Sequence, residues 1–182
     1  VKNTLLPLSL YIHMPWCIKK CPYCDFNSHK LNGSIPETNY INALVEDLKK
    51  DIFSFGAKSI SSIFIGGGTP SLFTPEAYEL LFNEIKKYLH FSPDIEITLE
   101  ANPGTFEAGR YKAYRELGIN RLSLGVQSFN PNHLKALGRI HDEKQAFHAI
   151  EEARKAGFKR INLDIMHGLP NQTIEEGLAD LS

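Results

Sequence analysis

The chain of 182 residues is poor in sulfur and close to neutral, with three cysteines, two methionines and a formal charge of −1. Near-neutrality removes the electrostatic case for a nucleic acid partner. No apolar run approaches membrane-spanning length, and the first residues show no signal-peptide pattern. Three cysteines cannot all pair into disulfides, which argues against a secreted disulfide scaffold. With 42% hydrophobic and 23% charged residues, the expectation is one soluble, cytoplasmic globular domain spanning 1–182, without a transmembrane segment.

All the cysteines that are present fall in one stretch, Tyr11-Ile-His-Met-Pro-Trp-Cys17-Ile-Lys-Lys-Cys21-Pro-Tyr-Cys24-Asp-Phe26. Three thiolates at spacing Cys-x-x-x-Cys-x-x-Cys ask for a soft metal centre. Structural zinc wants four protein ligands, whereas a 4Fe-4S cube on three cysteines keeps one iron free. Zinc with His13 or His29 as fourth ligand stays open, although neither gives a familiar finger spacing. Three merely buried cysteines suit the flanking Pro15, Lys19, Lys20 and Pro22 poorly, because these suggest an exposed loop.

The rest of the chain alternates between the two periodicities. Leu8 to His13, Ser62 to Ile65, Ile95 to Glu100, Arg121 to Val126 and Ile161 to Ile165 read as strands. Helix one carries Tyr40, Ile41, Leu44, Val45, Leu48 and Ile52 at helical spacing. Thr74-Pro75-Glu76 opens helix two, whose apolar face is Leu81, Phe82, Ile85 and Leu89. Helix three is expected from about Phe106 to Leu117, stopped by Gly118. A short helix follows Asn130-Pro131 and closes at Gly138-Arg139. Asp142-x-x-Gln145 caps a longer helix ending at Gly157, and Thr173-x-x-Glu176 caps the last. Strand–helix alternation predicts right-handed βαβ units and a parallel sheet. The cysteine loop, Gly66-Gly67-Gly68-Thr69-Pro70, Glu100, Gln127 and Asp164 then all gather at C-terminal strand ends, where sites form. Five strands do not close an eight-stranded barrel, so an incomplete, open TIM-like α/β barrel is expected.

The cysteine spacing resembles the radical S-adenosylmethionine superfamily, and the longer string resembles its oxygen-independent coproporphyrinogen III oxidase branch, which includes the HemW heme chaperones. The resemblance implies a 4Fe-4S cluster on Cys17, Cys21 and Cys24 whose free iron binds S-adenosylmethionine for one-electron cleavage. It implies that Gly67, Gly68 and Thr69 hold the amino acid part of that cofactor. It also implies contacts from Tyr11, Tyr23, Glu100, Gln127, Arg139 and Asp164, the last toward ribose hydroxyls. Read from the residues alone, the tyrosines could be packing, Glu100 a salt bridge and Arg139 a helix cap. No catalytic residue is assigned, and among the histidines only His167 sits where it is worth watching.

True oxidases of the branch carry a further cysteine two residues past the third, where this chain has Phe26. The Cys24-Asp25-Phe26 form resembles HemW, which implies heme as a further ligand, heme-accepting apo-proteins as partners and a flavodoxin- or ferredoxin-type electron donor. The alternative is decarboxylation of a porphyrinogen. A radical enzyme acting on tRNA and a zinc-stabilised binding module rank below both. The resemblance also implies longer relatives, and Ser182 falls within an amphipathic pattern, so a further strand and a C-terminal portion are expected beyond it.

Overall fold

A computed structural model describes residues 8–55, 59–104 and 108–182, the side chain of residue 55 excepted. Its centre is a five-stranded, wholly parallel sheet of β1 (Ser9–Met14), β4 (Ser59–Gly67), β5 (His90–Ala101), β6 (Arg121–Gln127) and β7 (Arg160–Ile165), in that spatial order. A short parallel ribbon, β2 (Trp16–Cys17) on β3 (His29–Lys30), closes the base of the cysteine loop. The helices are α1 (Glu37–Phe55), α2 (Pro75–Lys86), α3 (Tyr111–Glu116), α4 (Pro131–Ala136), α5 (Glu143–Lys155) and α6 (Ile174–Ala179). Sequential strands are spatial neighbours throughout, the order of an unrolled barrel segment.

The expected strands all form, and two run longer than their apolar patterns. β4 and β5 extend toward their N-termini, and their register slips between Ile60 and Ser62, opposite a stretch that contains Pro93 and its missing N–H. Helix one begins at Glu37, just after Pro36 and ahead of its apolar pattern. Helix three is described from Tyr111 to Glu116; its expected start at Phe106 lies outside the described residues. Gly118, at φ 102°, is the left-handed stop expected there. Both capping boxes, Asp142 with Gln145 and Thr173 with Glu176, are present.

The two faces of the sheet differ in kind. Ile63, Ile65, Ile97, Leu99, Leu122, Leu124 and Val126 point to the helices and are buried in one core. Alternate positions bring Tyr11, Phe64, Thr98, Arg121 and Arg160 into one row on the inner face. A row nearer the C-terminal ends holds His13, Glu100, Ser123 and Asn162. A parallel sheet normally buries both faces in apolar side chains; polar residues across one face mark it as the wall of a cavity.

An aromatic cluster supports the strand ends from the helical side. Trp16 meets Tyr40 edge-on at 4.7 Å, Phe73 lies against both, and Tyr78 against Phe73. Their polar tips bind backbone: Tyr40 donates to His13 O, Tyr78 to Pro70 O, and Tyr114 to Ser71 O and Phe73 O. Glu37, in the first turn of α1, accepts both the N–H and the hydroxyl of Thr74 at 2.7 Å, while Thr74 Oγ1 caps Ala77 N. Thr74→Ala removes both hydroxyl contacts and should cost about 1–2 kcal/mol in urea unfolding, with Thr74→Ser close to wild type. Equal losses in the two variants would show that the hydroxyl bonds contribute nothing.

Candidate functional site

A cavity of about 380 Å³ opens at the C-terminal ends of the strands. Cys17, Cys21, Cys24, Tyr23, Gly67, Gly68, Thr69, Glu100, Gln127, Arg139 and Asp164 all line it. Residues 17 to 164 therefore meet at one place, as the strand-end argument predicted. Tyr11 alone among the predicted contacts stands outside the lining. Strand alternation puts it on the inner face two residues before His13, where its ring stacks on Phe64 at 6.3 Å. His167 is exposed, and the neighbouring Met166 lines the cavity instead.

The cysteine loop is a closed structure. His29 N bonds Pro15 O and Leu31 N bonds Cys17 O at its base, both at 2.7 Å. Cys24 N bonds Cys21 O within it. Lys20 Nζ donates to Phe26 O and Ser28 O at 3.0 Å, drawing the far limb back toward the near one. His13 Nε2 donates to Asn27 O at 2.7 Å, which leaves Nδ1, in neutral imidazole, to accept from the Tyr11 hydroxyl at 2.9 Å. The three cysteines are unpaired thiols of intermediate exposure.

The glycine loop lies directly against this structure. Gly68 N donates to Met14 O and Thr69 N to Trp16 O, both at 2.7 Å. A Cβ on Gly68 would sit 2.6 Å from Trp16 O, and one on Gly67, at φ 116°, 2.6 Å from the His13 ring. The N–H groups of 67, 68 and 69 already have protein acceptors, Glu100 being that of Gly67. The first need for glycine here is close backbone packing.

Glu100 Oε2 accepts from Gly67 N at 3.1 Å. Burial, and then the charge of Asp164, push its carboxyl above the ordinary glutamate value, against the Gly67 bond and His13. Asp164 accepts from Asn162 Nδ2 at 2.7 Å and Ser123 Oγ at 3.1 Å. Arg139 is neither a simple helix cap nor a surface cation: Nη2 donates to Asn102 Oδ1 at 2.8 Å and to Gly125 O, and Nη1 lies 3.7 Å from Cys21 Sγ. Burial raises the Tyr23 phenol to about 12, with Arg139 opposing and Cys21 adding to the shift. Gln127 ends β6 in the left-handed region at φ 71°, a costly conformation for a non-glycine residue that concentrates at functional sites.

Sequence reading missed Asn102, Ser123, Asn162 and Gly125, which hold or make room for the predicted residues. Asn102 directly follows the end of β5, and Ser123 and Asn162 were legible only through strand alternation. A Cβ on Gly125 would approach the Gln127 amide at 3.1 Å and Arg139 at 3.4 Å.

The donor set also discriminates between centres. Among the described residues no three His, Cys, Asp or Glu side chains converge tightly enough for a single ion. Both His13 nitrogens are engaged within the protein, and His29 is an exposed member of β3. Three thiols spread along a cavity wall fit a multinuclear cluster better than tetrahedral zinc.

The family model of the radical SAM superfamily matches residues 11–181. The chain is 56% identical to the heme chaperone HemW of Haemophilus influenzae and 51% identical to that of Escherichia coli, in each case over 97% of this chain and 47% of the relative. It is 37% identical to the mitochondrial radical S-adenosyl methionine domain-containing protein 1 of Mus musculus, over 95% of this chain and 39% of that one. It thus spans about half the length of the curated HemW relatives. Among solved structures, coproporphyrinogen III oxidase of Escherichia coli superposes with TM-score 0.85 at 34% identity, covering 96% of this chain and 40% of that one.

The raised Glu100 carboxyl sets a pH dependence. A folded value above the unfolded one means that the folded state holds its proton more tightly, so stability should fall as pH rises from 4.5 through the raised value. Glu100→Gln keeps an acceptor for Gly67 N and should flatten that slope in urea midpoints measured from pH 4 upward. A slope unchanged by the substitution would assign it to another group.

Proposed function

The chain belongs to the radical SAM superfamily, and we propose that within it this chain is the core domain, spanning 1–182, of a heme chaperone of the HemW kind. In this reading Cys17, Cys21 and Cys24 hold a 4Fe-4S cluster, and S-adenosylmethionine occupies the rest of the cavity. The observation that carries it is the single cavity lined by all three thiols together with Gly68, Thr69, Glu100, Gln127, Arg139 and Asp164. The second support is Phe26, exposed at the cavity where the branch's oxidases carry another cysteine.

When bound, the cluster and S-adenosylmethionine together supply one-electron cleavage of a carbon–sulfur bond. The protein's own part is to bind and orient. Three thiolates leave one metal position open to a chelating amino acid group. Arg139 and the carboxamide of Gln127 face that end, the guanidinium suited to a carboxylate. Asp164, pre-oriented by Ser123 and Asn162, is an acceptor for vicinal hydroxyls. Glu100 offers a second carboxyl whose proton affinity is raised by burial. Tyr11, on the same inner face with its hydroxyl held by His13, is a further contact of the cofactor in this reading. The partners in this reading are heme, heme-accepting apo-proteins and a flavodoxin- or ferredoxin-type one-electron donor, in the cytoplasm.

The alternative is oxidative decarboxylation of coproporphyrinogen III, favoured by the likeness to the Escherichia coli oxidase. Anaerobic reconstitution of the complete gene product, divided between heme titration and a decarboxylation assay, separates the two. Stoichiometric heme binding without decarboxylation is expected; turnover of the porphyrinogen would overturn the chaperone reading. Replacing any of Cys17, Cys21 or Cys24 by Ala should abolish the cluster's visible absorbance. Asp164→Ala should leave iron content intact and weaken S-adenosylmethionine binding by about tenfold, as loss of a charged hydrogen-bond acceptor does.

A further inference from the structure

Gln127 has a backbone conformation that the structure around it must enforce. Left-handed backbone is strained for a non-glycine residue, and it persists only where neighbours over-determine it. Three separate segments do so here. The buried His141 donates from Nε2 to Val126 O at 3.0 Å, and burial with the nearby Arg139 holds its imidazole down to about 4. Met166 N donates to Gln127 O at 2.8 Å. The third restraint comes from the far end of the chain. Asp180 accepts from Ser128 Oγ and from Phe129 N, both at 2.7 Å.

Asp180 is buried, with only 8% of it exposed. A buried carboxylate is retained when its hydrogen bonds offset the cost of its desolvation. Those bonds go to the two residues that immediately follow Gln127. Ser128, fully buried, in turn accepts from Asn130 N at 3.0 Å, so the turn from β6 into α4 closes around the same carboxylate.

We propose that Asp180 is a positioning residue for the site: by clamping Ser128 and Phe129 it keeps Gln127 left-handed, with its carboxamide folded over Gly125 beside Arg139. The consequence for ligand binding rests on the reading above, in which Gln127 faces bound S-adenosylmethionine. α6 makes no contribution to the cavity lining, so its influence passes through the backbone of 127–129.

The test uses the complete gene product, reconstituted anaerobically, with S-adenosylmethionine titrated against the electron paramagnetic resonance of the reduced cluster. Asp180→Ala should keep wild-type iron content and absorbance while raising the dissociation constant about tenfold, the scale of a lost charged hydrogen bond. Asp180→Asn, which retains one acceptor oxygen, should lose less. Gln127→Ala should weaken binding similarly, and the double variant should be no weaker than Gln127→Ala alone. Unchanged affinity in Asp180→Ala beside a weakened Gln127→Ala, or fully additive losses, would overturn the proposal. If Asp180→Ala does not fold, Ser128→Ala enters the same cycle. Amide hydrogen exchange over residues 124–131 reads the clamp without any ligand. Should Gln127→Ala bind normally, the assignment of Gln127 to S-adenosylmethionine fails, and exchange decides the clamp: faster exchange in Asp180→Ala upholds it and unchanged protection rejects it.

Discussion

The site depends on one close backbone contact, where the glycine loop lies against the start of the cysteine loop. Gly68 N on Met14 O and Thr69 N on Trp16 O join the two segments, and a side chain at 68 would drive into the Trp16 carbonyl. Because β1 and β4 are adjacent and parallel, both segments leave the sheet at the same edge and in the same direction. Contact between them is therefore the natural way for each to satisfy its orphaned backbone groups. The aromatic cluster of Trp16, Tyr40, Phe73 and Tyr78 fills the space behind that contact and bonds its phenols to the same turns. Widening the contact by one methyl group would move all three thiols relative to the strand ends.

Electrostatics at the cavity follow from the inequality of the sheet's faces. One face is apolar and covered by helices, so the functional groups can stand only on the other. Glu100 and Asp164 are close enough for the charge of one to raise the proton affinity of the other, while Arg139 stands toward Cys21. A cavity with cationic and carboxylate walls suits a zwitterionic ligand that carries hydroxyls at one end and an amino acid at the other. Each wall group is braced by a neutral partner: Asn102 for Arg139, and Ser123 and Asn162 for Asp164. The charges are thus oriented before a ligand arrives.

The three thiols and the strand ends were legible because each rests on a local pattern. Cys17, Cys21 and Cys24 share eight residues, and Gly118, Asp142 and Thr173 act within a single helix turn of themselves. Tyr11 stands on the same inner face as His13, one row further from the strand ends, and only strand register shows that it lies outside the lining. The close packing that the glycines permit was not legible, because the groups they meet, the His13 ring, Met14 O and Trp16 O, lie some fifty residues earlier in the chain.

By itself, then, the sequence determined the parallel α/β architecture, the three clustered thiols and the gathering of polar side chains at the C-terminal strand ends. These follow from periodicity, capping and spacing, which act over a few residues. Tertiary structure alone decided which groups brace which. Asn102 on Arg139, His13 on Asn27 and Asp180 on Ser128 join residues 14 to 52 positions apart. Such pairs are set by strand register and by the order of strands in the sheet. No local signal along the chain encodes them, because each partner taken singly is an ordinary polar residue at a strand or helix end.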